Sequence, residues 1–128
     1  MVNAMRKQYY FRGSHDGLLA WDVDRLVQLS SHLQRKRIPL TAIRELDEPW
    51  SGDDEPATWR TVLVHVRLIE EADLSYPIIV SASGAVMDGM HRVAKAVLQG
   101  RQEIDAVQFD RDPPPDYVGR GPNDLPYE

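Results

Sequence analysis

Apolar residues change period along this chain, and the changes mark its elements. The most informative stretch is 76–101, YPIIVSASGAVMDGMHRVAKAVLQGR. Residues 77–81 form a short apolar run around the β-branched Ile78, Ile79 and Val80, 81–84 have turn chemistry and 85–87 are apolar again, which predicts a strand, a tight turn and a second strand. Val93, Ala94, Val97 and Leu98 then recur at helical spacing until Gly100, placed as a C′ glycine. Asp88 stands where the second strand stops and is expected to cap that helix. Ile104, Ala106, Val107 and Phe109 give a last strand.

Upstream the periods are weaker. Val23, Leu26, Val27, Leu29 and Leu33 predict a helix over 22–33 with Trp21 packed at its start. Residues 37–40 read as a short strand, with Thr41 capping a single helical turn over 42–46. Pro56 occupies a first-turn position, and Trp59, Val62, Leu63, Val66 and Ile69 predict a helix ending near Asp73 whose opposite face, Arg60, Arg67, Glu70 and Glu71, is solvated. His65 falls between those faces, where a partly buried, hydrogen-bonded histidine is the expectation. Residues 9–11 read as a short extended piece, 12–17 as a polar loop and 47–55 as an acidic loop around Trp50. From Arg111 the chain turns proline-rich, with Pro113, Pro114 and Pro115 in sequence. Tyr117, Val118, Leu125 and Tyr127 make this tail one that docks on the surface.

These elements predict an α/β (α+β) fold, a single compact domain with a small mixed β-sheet flanked by helices. The domain is expected over 1–110, with its core at about 38–109, followed by an extended tail over 111–128.

Composition narrows the function classes. The 128 residues, 42% of them hydrophobic, suffice for one core. No apolar run nears the roughly 20 residues of a spanning helix, and the first residues lack the apolar segment of a signal peptide, so a cytoplasmic protein without membrane contact is expected. There is no cysteine, hence no disulfide framework, thiolate metal site or cysteine nucleophile. A net charge of −5 argues against non-specific nucleic-acid binding. The run Arg35, Lys36 and Arg37 reads as three solvated side chains, and His15 and His32, with no partner at metal spacing, as surface residues.

The candidate chemistry lies at 88–92, Asp-Gly-Met-His-Arg. The first amides of a helix lack internal partners and carry partial positive charge, so a helix start attracts anions. Gly89 would let a ligand approach the backbone, His91 and Arg92 bring donors on the first turn, and Lys95 follows His91 at a spacing of four.

The order of apolar strand, turn, apolar strand, Gly-x-His-Arg, alanine-rich helix and strand resembles the core of the ParB/sulfiredoxin superfamily over about 38–109. In that superfamily the equivalent turn and helix start hold nucleotide phosphates. The resemblance implies that Gly89, His91 and Arg92 are phosphate-binding positions and that Asp88 matches an acidic residue of the kinase-type motif. Met90 replaces the cysteine on which sulfiredoxin chemistry depends, which excludes that activity. No helix-turn-helix segment follows the core, which argues against a genome-partitioning role.

The expected function is therefore binding of a nucleoside tri- or diphosphate, or another phosphorylated metabolite, by Gly89, Met90, His91, Arg92 and Lys95. Such a site would serve a small phosphotransferase or nucleotide hydrolase, with Asp88 as candidate base and His91 beside it. Should Asp88 only cap, the base would be Glu48, Asp53, Asp54 or Glu55. The acidic loop would supply carboxylates to Mg²⁺, and no all-protein metal site is expected. The alternative is a non-catalytic module whose ligand switches contact with a protein partner or a second copy. A DNA-binding or nuclease role has the weakest physical basis.

Overall fold

The computed structural model describes residues 7–49 and 57–127. Trp50, the acids Asp53, Asp54 and Glu55, and the first-turn proline Pro56 lie outside the described residues.

The described chain opens with a hairpin of β1 (Tyr9–Ser14) and β2 (Gly17–Asp22), in which Ser14 faces Gly17 across a two-residue turn. Gly17 has φ 106°, the region that the tight turn demands and that favours glycine. Ser14 Oγ donates to the Gly17 carbonyl at 2.7 Å and accepts from the Asp16 amide at 3.1 Å. The polar stretch 12–17, predicted as a loop, is thus mostly strand, because backbone pairing on an exposed hairpin does not require apolar side chains.

Asp22 ends β2 and caps α1 (Val23–Ser30), accepting from the Asp24 amide at 2.9 Å. The helix stops at Ser30, short of the predicted Leu33. After β3 (Lys36–Pro39) come two 3-10 turns, Leu40–Ala42 and Arg44–Asp47, instead of one helical turn capped by Thr41. Ile43, 2% exposed, is the reason for the break: it leaves the helical path to reach the core. Helix α2 (Trp59–Glu71) is capped by Thr58, which accepts from the Thr61 amide. Then follow β4 (Ile78–Val80), β5 (Val86–Asp88), α3 (Met90–Leu98) and β6 (Glu103–Gln108).

The last four elements are those predicted between 77 and 109, and their three strands join β3 in a four-stranded mixed sheet in the order β3-β6-β4-β5. β4 and β6 are parallel, and the other two pairs are antiparallel. Alternation along the strands sorts side chains to two faces. Ile78, Val80, Ile104 and Ala106 join Val93 and Ala96 of α3 on one side, while Ile79 and Val107 join Trp21, Leu26 and Phe109 on the other. A strand buried on both faces reads as a continuous apolar run, which is why Ile78-Ile79-Val80 was legible.

The tail does more than lie on the surface. Tyr117–Val118 forms β7, antiparallel to β2, making a second, three-stranded sheet in the order β1-β2-β7. Asp112 pairs with Arg12 at 3.0 Å, and Asp116 accepts from the Asp22 amide and from Arg25, at 2.8 and 2.9 Å. The molecule is an α+β domain of two small sheets and three α-helices among the described residues.

Helix α2 departs most from expectation. None of its residues is buried, and Trp59, Leu63 and Val66, on the predicted core face, are 83%, 63% and 43% exposed. Val62 and Ile69 of that predicted face do turn toward the rest of the protein, together with Thr61, His65 and Leu68, and all five are half-buried.

Candidate functional site

The 88–92 motif occupies the junction from β5 to α3, where Gly89 turns the chain with φ 115° and ψ 20°. Gly89, not Asp88, is the N-cap residue, and no side chain caps α3. The reason is local: because the turn is taken by glycine, Asp88 is still extended and paired in the sheet opposite Ile79. Its carboxylate instead accepts from Arg92 Nη2 at 3.0 Å, an (i, i+4) ion pair that is about four-fifths buried. Arg92 also donates to the Pro77 carbonyl at 3.4 Å.

Gly89 is needed by the fold itself. A Cβ there would lie 2.6 Å from Ile78 Cγ2 and 2.9 Å from Arg92 Nη2. The space expected to admit a ligand is taken by these two side chains.

Lys95 is likewise committed. Its Nζ donates to the Glu70 and Ala72 carbonyls at 2.9 and 2.7 Å, satisfying acceptors at the C-terminal end of α2. Cations suit that end, where the carbonyls lack helical partners. The five predicted binding residues therefore do not converge. Asp88 and Arg92 border one cleft of about 330 Å³, shared with Tyr76 and Ile79, while Met90 and His91 border another of about 370 Å³.

The second cleft holds what the motif alone did not show. His91 Nε2 and His65 Nδ1 are 2.8 Å apart, and the rings stack with centroids 5.1 Å apart at 25°. One nitrogen donates and the other accepts, so the pair requires complementary tautomers. The walls are otherwise largely apolar, from Val62, Val66 and Met90, with Glu45 and Glu48 across from the helices. Glu45 Oε2 accepts from the Val86 amide at 2.8 Å on the outer edge of β5, and its Oε1 is buried without a hydrogen-bond partner. Of the alternative bases, Glu48 lines this cleft; Asp53, Asp54 and Glu55 lie outside the described residues. Sequence reasoning passed over Glu45, since nothing in its spacing links it to 88–92.

Burial pushes the His91 imidazole below its ordinary value of 6.5; His65 and Arg92 add to the shift, and Asp88 opposes it. The unfolded chain therefore binds a proton more readily than the folded one. Stability is retained above about pH 6.5 and is lost as pH falls through the window between 6.5 and the lower folded value. The melting temperature is expected to drop between about pH 7.5 and pH 5, with a smaller drop in His91→Gln. Parallel pH profiles for the two proteins would assign the effect elsewhere.

The other sequence candidates fall outside the site. His15 and His32 are exposed. Arg35 and Arg37 lie 3.8 and 3.6 Å from Asp105, and Lys36 donates to Gln108, so the basic run rests on β6. Among the described residues no three His, Cys, Asp or Glu side chains gather as a metal site, and no helix is long and apolar enough to cross a membrane. No protein-family model, curated protein or solved structure matches the chain.

Proposed function

We propose that this domain has a ParB/sulfiredoxin-like core and binds a nucleotide, or a related phosphorylated small molecule, in the cleft between α2 and α3. The observation that carries this reading is the position of His91. It leaves the first turn of an uncapped helix and meets His65 in a cleft of about 370 Å³. The free first amides offer an anion site, the apolar walls suit a base or sugar, and the histidine pair adds a donor. Because Asp88 does not cap, no side chain takes up those amides.

The division of labour differs from that implied by the motif. His91 and Met90 would touch the ligand, whereas Arg92 and Lys95 hold Asp88 and α2 in place. If Mg²⁺ accompanies the phosphates, Glu45 and Glu48 are the carboxylates on the same cleft, and the ion would supply charge neutralisation there. For phosphoryl transfer, Glu45 or Glu48 would also be a better-placed base than Asp88, whose carboxylate is occupied by Arg92 and faces the other cleft.

A thermal-shift series with ATP, CTP, GTP and pyrophosphate, each with and without Mg²⁺, tests this. A ligand at a hundred times its Kd adds about 2.7 kcal/mol to the folded state, a readily measured rise in Tm. The rise is expected to vanish in His91→Ala and to persist in Lys95→Met, which removes only a structural bond. Absence of any rise in the unmodified protein would sink the proposal.

A further inference from the structure

Helix α2 gains little from burial. None of its residues is buried, and its seam with α3 is a groove lined by Val62, Ile69, Met90 and Ala94 rather than a closed packing. A helix of 13 residues is marginal by itself, so its polar ties to α3 carry weight. At the C-terminal end Lys95 Nζ holds the Glu70 and Ala72 carbonyls. At the middle His65 Nδ1 meets His91 Nε2 at 2.8 Å.

These ties respond differently to protons. The Lys95 tie ends on backbone carbonyls, which do not titrate. The histidine tie joins two titrating rings. Between neutral imidazoles one nitrogen donates and the other accepts. A first proton leaves the bond intact, because imidazolium still donates to imidazole. A second proton puts hydrogen on both facing nitrogens, removes the acceptor and sets two positive charges against each other in stacked rings.

The surroundings restrain that second step at neutral pH. Burial opposes a charge on His91 most, His65 and Arg92 add to the opposition, and Asp88 favours the charge. Lys95, one turn further along α3, opposes it as well, whereas Glu45 and Glu48 across the cleft favour it. The sheet beneath α3 brings the uncharged Ile78, Val80, Ile104 and Ala106. Burial is the part of this balance that movement of α2 relieves.

We propose that His65 and His91 form a proton-operated latch: when both rings are protonated, α2 swings away from α3 about its Lys95-held end and opens the cleft. The closed form is favoured above about pH 6.5, the ordinary histidine value, and is lost as pH falls below it. Opening takes up one proton or two, so the ratio of open to closed molecules is expected to rise roughly ten- to a hundredfold per pH unit. Acid would then release a ligand from the cleft, a consequence that rests on the function proposed above. The latch itself rests on the histidine pair.

The chain has no cysteine, so nitroxide labels can be placed selectively. Leu63→Cys on α2 and Leu98→Cys on α3, at positions 63% and 77% exposed, report the separation of the helices by double electron–electron resonance. No ligand is added, so the outcome is independent of nucleotide binding. One narrow distance distribution is expected at pH 7.5, and a longer population that dominates by about pH 5. In His91→Gln, whose amide takes up no proton in this range, the distribution is expected to be the same at both pH values. A second label pair, Leu98→Cys with Val118→Cys on β7, should keep its distance throughout. An unchanged separation of the helices at pH 5 would overturn the latch, as would a lengthening that persists in His91→Gln. Lengthening of both label pairs together would overturn it too, since the domain would then be opening as a whole.

Discussion

Replacing Trp21 with alanine is expected to remove about 3–5 kcal/mol of folding stability, the range for an aromatic truncated inside a packed core. Trp21 is 2% exposed and joins elements distant in the chain. Its ring packs with Leu26, Ile79, Met87, Val107 and Phe109, and so ties the hairpin to the face of the four-stranded sheet away from α3. The Arg12 guanidinium lies 4.9 Å from its ring centroid, and its indole Nε1 donates to the Pro113 carbonyl at 2.8 Å. Alanine would open a cavity and at the same time strand the carbonyl that begins the proline segment. Trp21→Phe separates the two effects: it keeps most of the apolar contact and loses the hydrogen bond, at an expected cost of about 1–2 kcal/mol. Urea unfolding of the three proteins provides the comparison. A loss under about 1 kcal/mol in Trp21→Ala would mean that the hairpin and tail are not cooperative with the sheet.

What the sequence revealed and what it concealed divide along the same line. Residues 77–109 were legible because each element there is specified locally: the runs Ile78–Val80 and Glu103–Gln108 are buried on at least one face, and α3 carries a regular apolar stripe that ends in glycine. The hairpin and β7 were not: Arg12-Gly13-Ser14 pairs with the nearby Leu19, Leu18 and Gly17 without any apolar alternation to mark it, and Tyr117-Val118 takes its strand state from Ala20 and Leu19, about a hundred residues away. The orientation of α2 was misread for a related reason. Periodicity gives the apolar side of a helix but not what meets it, and in this domain only the Val62 and Ile69 edge of that side turns inward while Trp59, Leu63 and Val66 are exposed. At the site, the spacing of Asp88 to Arg92 correctly marked a strand-to-helix junction. It could not tell that a positive φ at Gly89 would move the cap by one residue and turn Asp88 toward Arg92. His65, 26 residues before His91, is joined to it only by the packing of α2 on α3.

Gly89→Ala distinguishes the two meanings a glycine can have in such a motif. If the residue exists to let a ligand approach, alanine should leave stability unchanged and weaken binding. The geometry predicts the reverse emphasis. A side chain at φ 115° pays roughly 1–2 kcal/mol for a left-handed backbone, and a Cβ 2.6 Å from Ile78 Cγ2 forces a rearrangement worth about 1–3 kcal/mol more. A loss of about 2–5 kcal/mol is expected in urea unfolding. The steric share can be isolated by a double-mutant cycle. Ile78→Val retains the branch methyl that clashes, so Gly89→Ala should cost as much in that background as in the original protein. Ile78→Ala removes the methyl, and although that change is itself destabilising, Gly89→Ala should then cost about 1 kcal/mol less. Equal costs in all three backgrounds would clear the Ile78 methyl and assign the penalty to the backbone conformation and the Arg92 contact. A stable Gly89→Ala protein that no longer responds to nucleotide would instead return the glycine to the ligand.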